Sequence, residues 1–166
     1  MPRPSFIQAW AAFMEVNKPV QEVGNIIGGK VKVNIELPNE RQRWKNACPI
    51  RMSYVLNKTG FPIRRLSNYK MVSGGDGRWY IYRVADMMEY LEATFGSPNK
   101  TIKGLPKTSD FQGTKGILVI KGSGWDNASG HVTLWNGGAC SDSCHLAYDP
   151  DNGFFTPTEA SLWVLP

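Results

Sequence analysis

The chain has 166 residues, enough for one domain built around one hydrophobic core. With 42% hydrophobic and 20% charged residues it is neither disordered nor fibrous. Its longest apolar runs, such as Ala9–Met14, fall far short of the roughly 20 residues that span a bilayer, and the N-terminus lacks the continuous apolar stretch of a secretory signal. The formal charge of +5 is partitioned. Residues 41–75 carry eight Lys and Arg and no acid, whereas 122–166 carry five acids and no Lys or Arg. A basic segment of this kind suits a polyanionic partner.

In chain order, Ser5 reads as the cap of a helix with Phe6, Ile7, Trp10, Phe13 and Met14 on its apolar stripe, ending before Pro19. A short helix follows over Val20–Ile27 and stops at Gly28-Gly29. Val31, Val33, Ile35 and Leu37 alternate with polar residues and predict a half-buried strand. A helix starts at Cys48 with Met52, Val55 and Leu56 inward and ends near Gly60. Residues 61–80 read as a loop with a flexible tip at 73–77. Val84, Met87, Met88, Leu91 and Phe95 predict a helix closed by Gly96, and 117–120, 131–135 and 162–165 predict strands. Helices first and antiparallel strands afterwards give an α+β class, with N-terminal helices packed on an antiparallel sheet.

Three cysteines and two histidines fall inside the two oppositely charged segments. Cys48 precedes Pro49, which favours the first helical position, so Cys48 is expected at the N-cap. There the helix dipole and the surrounding bases favour a thiolate. His131 opens the strand His131–Trp135 after a Ser-Gly turn. A Cys at a helix start followed by a His on a later strand is the order a thiol protease or amidase needs, the His taking the thiol proton and returning it to the leaving amine. Asp142 lies eleven residues on, near enough to return beside His131 after one turn; Asp149 and Asp126 are the other candidates for the orienting acid. The Cys48 backbone N–H is a candidate oxyanion donor, with the Asn46 side chain as a second.

Cys140 and Cys144 flank Asp142. They suit either a zinc site with His145 and His131, whose spacing is not a standard pattern, or a disulfide that fixes the loop and implies an oxidising compartment; the disulfide is favoured. No metal motif, nucleotide loop or cofactor signature is evident. A non-catalytic wall-binding module, or a nucleic-acid-binding module using Trp44 and Tyr69, would account for the basic charge but leave Cys48 idle. A transglutaminase-like acyltransferase would share the triad logic.

The segments Asn46-Ala47-Cys48-Pro49-Ile50-Arg51-Met52-Ser53, Gly130-His131-Val132-Thr133-Leu134-Trp135 and Cys140-Ser141-Asp142-Ser143-Cys144-His145 closely resemble the type VI secretion amidase effectors of family four. These are antibacterial peptidoglycan amidases of the papain-like NlpC/P60 fold. The resemblance covers most of the chain and implies a single cysteine amidase domain over 1–166. It implies cleavage of the γ-D-glutamyl–meso-diaminopimelate bond in wall stem peptides, with Cys48 as nucleophile, His131 as general base and Asp142 as orienting acid. It also puts the family's loop disulfide on Cys140 and Cys144. Partners would be the stem peptide, the type VI machinery and a cognate immunity protein, not nucleic acid. The protein would be made in the cytoplasm, exported without a signal peptide and active in the periplasm of the target cell.

Overall fold

The computed structural model describes residues 2–123, 130–142, 148–149, 153–154 and 156–166. Helix α1 (Phe6–Val16) buries Phe6, Ala9, Ala12, Phe13 and Val16, while Ile7 and Met14 of the predicted stripe face outward. Helix α2 (Val20–Ile27) ends at Gly28, whose φ of 69° needs no Cβ.

Residues 29–35 form helix α3 (Gly29–Ile35), not the expected strand. The apolar residues at 31, 33 and 35 satisfy a two-residue period, but 31 and 35 also satisfy the i, i+4 spacing of a helix. The helix wins because Val31 and Ile35 together fill a second core with Val23, Ile27, Ile50 and Tyr80, leaving Val33 60% exposed.

Helix α4 (Cys48–Lys58) is buried on all sides, every residue from Cys48 to Asn57 lying out of solvent. Burying Met52, Val55 and Leu56 contributes about 2 kcal/mol each to the main core. Its polar residues are each satisfied. Arg51 donates to the Val16 and Lys18 carbonyls at the end of α1, at 3.0 and 2.7 Å. Ser53 donates to the Pro49 carbonyl and accepts the Ile81 N–H; Asn57 donates to the Trp79 carbonyl and accepts the Ile63 N–H. These bonds fix α4 against α1 and against a hairpin that was expected to be loop: β1 (Met71–Ser73) and β2 (Trp79–Ile81), paired antiparallel with Met71 opposite Ile81. The strands are too short to show a period, and the Gly-rich tip between them is the turn. Helix α5 (Val84–Phe95) has the expected bounds.

The remaining described strands include β3 (Lys100–Lys103), β4 (Gly116–Ser123), β5 (Gly130–Trp135) and β8 (Thr156–Val164); β3 was not anticipated. They form an antiparallel sheet in the order β3-β8-β4-β5. Two short strands, β6 (Tyr148–Asp149) and β7 (Gly153–Phe154), pair with each other. Val119, Val132 and Leu134 pack into the main core with α4, so α4 and β5 lie against each other. The molecule is α+β, with helices on an antiparallel sheet as expected. Among the described residues no helix is long and apolar enough to cross a membrane.

Candidate active site

Cys48 is the first residue of α4 rather than its cap; Ala47 holds the cap position and has no side-chain bond to give. The capping is done one residue earlier. Asn46 Oδ1 accepts the Cys48 backbone N–H at 3.1 Å, a local i to i+2 bond that Asn favours. The N–H expected to face an oxyanion is therefore held by Asn46 in this structure. The Cys48 side chain is a free thiol, 2% exposed.

His131 lies on β5, the strand at one edge of the four-stranded sheet, opposite Ile120 of β4. Strand alternation puts Val132 and Leu134 in the main core and His131 and Thr133 together on the other face. The chain then reverses. Asn136 Oδ1 accepts the N–H groups of Gly138 and Ala139, Gly137 takes a φ of 100°, and Cys140 bridges back to Trp135. The Ser141 N–H donates to the Leu134 carbonyl, and Asn17 of the α1 terminus holds the Ser141 carbonyl. This turn brings Asp142 back onto the face that carries His131 and Thr133.

The two oxygens of Asp142 have separate tasks. Oδ2 lies 2.8 Å from His131 Nε2, and Oδ1 accepts the Thr133 hydroxyl at 2.9 Å. The Thr133 hydroxyl is also 3.0 Å from that of Ser141, and Ser141 Oγ accepts the Leu134 N–H. A residue two positions along the same strand face reaches the second oxygen of the same carboxylate. Thr133 was missed in the sequence, although the period of two in His131-Val132-Thr133 was its signal.

His131 is 1% exposed. Burial pushes its imidazole toward the neutral form, but the charge and hydrogen bond of Asp142, then the hydrogen bond and charge of Cys48, outweigh it and raise the pKa from 6.5 to about 10. The imidazole thus bridges Cys48 and Asp142. With Nε2 given to Asp142, Nδ1 is the ring nitrogen left for the thiol. Cys48 at a helix start, His131 on the adjoining strand and Asp142 behind it have the layout of a thiol-dependent acyl-transfer site.

The cysteine pair beside this site is described in part. Cys140 is buried and held in a disulfide, whereas Cys144 and His145 lie outside the described residues, as does Asp126. Of Asp149 only the backbone, in β6, is described.

Comparison with known proteins agrees with this architecture. A protein-family model described as "Type VI secretion system (T6SS), amidase effector protein 4" (Tae4) matches residues 44–163. Among solved structures, Tae4 from Salmonella typhimurium in complex with the immunity Tai4 from Enterobacter cloacae is 59% identical, with a TM-score of 0.88 over 99% of this chain and 100% of that one. The Enterobacter cloacae Tae4 effector solved alone is 45% identical with a TM-score of 0.88 over 100% of both chains, and the Tae4–Tai4 complex from Enterobacter cloacae is 46% identical with a TM-score of 0.89. No curated protein sequence matches the chain. The chain belongs to the Tae4 family, the amidase effectors of the type VI secretion system.

Proposed function

We propose that this protein is a cysteine amidase that hydrolyses the γ-D-glutamyl–meso-diaminopimelate bond of peptidoglycan stem peptides. The observation that carries the catalytic part of this reading is the buried relay from Cys48 through His131 to Asp142. The resemblance noted in the sequence supplies the bond. In the resting pair His131 already holds the proton received from Cys48, and the Cys48 Sγ attacks the amide carbonyl. The tetrahedral intermediate collapses to a thioester as His131 protonates the departing amine, and water, deprotonated by His131, then hydrolyses the thioester. Asp142 holds the ring in the tautomer this requires and stabilises its charged form. Residues 1–166 act as one amidase domain, a reading supported by structural relatives that cover 99% or more of the chain.

Delivery by the type VI machinery to a target cell's periplasm is part of this reading, and the match to type VI amidase effectors supports it. Inhibition by a cognate immunity protein is supported by the Tae4–Tai4 complexes. Pairing of Cys140 with Cys144 would close the loop around Asp142 and suits an oxidising compartment. Digestion of purified sacculi tests the bond. Mass analysis should find new γ-D-glutamyl carboxylates and free diaminopimelyl amines; release of sugar fragments, or of D-alanine alone, would reject the assignment.

Thr133 is a positioning residue in this scheme. Thr133→Val keeps the shape of the side chain and removes the hydroxyl that holds Asp142 Oδ1. The loss of one buried hydrogen bond should lower kcat about tenfold with KM unchanged. Thr133→Ser, which restores the hydroxyl, should recover most of the rate. An unchanged kcat in Thr133→Val would show that Asp142 is held by other means.

A further inference from the structure

Next to Cys48 lies a second feature that the catalytic relay does not use. Residues 41–46 and Tyr82 line an open cleft of ≈ 260 Å³. Its position is built into the fold. A short 3-10 turn (Glu40–Gln42) is capped by Asn39, and the Trp44 N–H is tied to the Asn34 carbonyl of α3. The Trp44 ring stacks on Tyr82 with centroids 4.4 Å apart and planes 18° from parallel, which makes a flat, rigid wall. The cleft has three cationic side chains and no acidic one in its lining. Arg43 is partly committed, to Glu40 at 3.8 Å and to the Leu37 carbonyl. Arg41 and Lys45 have no carboxylate within ion-pair distance among the described residues. The same basic segment contains cations that serve the fold instead, such as buried Arg51, or that lie over aromatic rings, such as Lys58 and Arg65. Three of the segment's eight cationic side chains, Arg41, Arg43 and Lys45, thus line this cleft. Asn46 joins the two places, because it lines the cleft and its side chain holds the Cys48 N–H.

We propose that this cleft is a substrate subsite that binds a free carboxylate flanking the scissile amide, with Arg41 and Lys45 as the residues that select for it. The proposal rests on the amidase reading above for the identity of the substrate. A γ-linked D-glutamyl residue keeps its α-carboxylate, and diaminopimelate keeps one of its own on the other side of the amide, so a stem peptide offers an anion on either flank. An Arg–Lys pair at the rim of an aromatic wall recognises such a group by charge-assisted hydrogen bonds, while the rings pack against its methylene chain.

The test measures binding to Cys48→Ala protein by calorimetry, using the tetrapeptide L-Ala–γ-D-Glu–meso-diaminopimelate–D-Ala. Two further peptides are amidated at the glutamyl α-carboxyl or at the free carboxyl of the distal diaminopimelyl centre, the one whose amine does not form the scissile amide. Arg41→Gln with Lys45→Gln should weaken binding of the parent peptide about tenfold. One of the two amidations should do the same, and combining that amidation with the double variant should add no further loss. Both side chains are solvent-exposed, so their replacement should leave the urea midpoint in place. Unchanged affinity in the double variant, additive losses, or indifference to both amidations would overturn the subsite. Hydrolysis of the parent peptide by the unaltered protein tests the amidase reading separately. Carboxylate-dependent binding without hydrolysis would keep the cleft and reject the amidase, and hydrolysis with carboxylate-indifferent binding would do the reverse.

Discussion

Replacing Cys48 with Ala is expected to abolish release of fragments from sacculi, a loss of at least about a thousandfold, because no neighbouring group replaces the nucleophile in a covalent mechanism. The fold should survive. The substitution removes one sulfur from a 2% exposed position, at a cost of about 1 kcal/mol. The start of α4 does not depend on that sulfur, since Asn46 Oδ1 takes the Cys48 N–H and Pro49 follows. Circular dichroism and a urea midpoint close to the parent, measured beside the loss of products, would separate a chemical role from a structural one. A folded Cys48→Ala protein that still releases muropeptide fragments would end the thiol mechanism.

His131→Ala should remove activity to a similar degree and, unlike Cys48→Ala, should also destabilise the protein. Its ring is one half of a buried pair with Asp142, and deleting one partner leaves the other charge in the interior, a cost of about 3 kcal/mol. The pH dependence has a definite sign. The folded pKa of His131, about 10, lies above the ordinary value of about 6.5, so the folded state binds the proton more tightly than the unfolded chain does. The stabilisation is complete below about pH 6.5 and is lost as the pH rises through the folded value of about 10. The stability gap between the parent and His131→Ala, measured by urea unfolding across this range, should therefore narrow toward alkaline pH. A gap that stays constant or widens would mean that His131 is not charged in its pair with Asp142.

Much of this was legible in the amino-acid sequence, and the reason is local. The helices α1, α2, α4 and α5 declare themselves by apolar spacing and by Pro and Gly at their ends; the expected bounds of α5 agree with those observed. Cys48 before Pro49, His131 after a glycine and Asp142 one turn later are short-range patterns tied to backbone geometry. The charge partition was visible too, but not its use. Arg51 adds to the same local positive charge as Arg41, yet one is buried on the carbonyls of α1 and the other lines an open cleft.

Tertiary structure decided what no local pattern contains. Residues 31–35 satisfy both a strand and a helix period, and the second core with Val23, Ile27 and Tyr80 chose the helix. The β1–β2 hairpin has strands of three residues, too few to carry a signal, and is held by Ser53 and Asn57 of a helix more than 20 residues away in sequence. The site shows the same division. Sequence by itself determined which residue types the proposed chemistry uses and which secondary elements bear them, because a nucleophile, a base and an acid need particular side chains at particular turns. Only the packing of α4 against β5, and the reversal at Gly137, set His131 between Cys48 and Asp142 and put Thr133 on the second carboxylate oxygen. Hydrogen bonds of 2.8 and 2.9 Å between residues nine and eleven apart, and a thiol more than eighty residues away, depend on how whole elements close on one another, and that closure is driven by burial of the core they share.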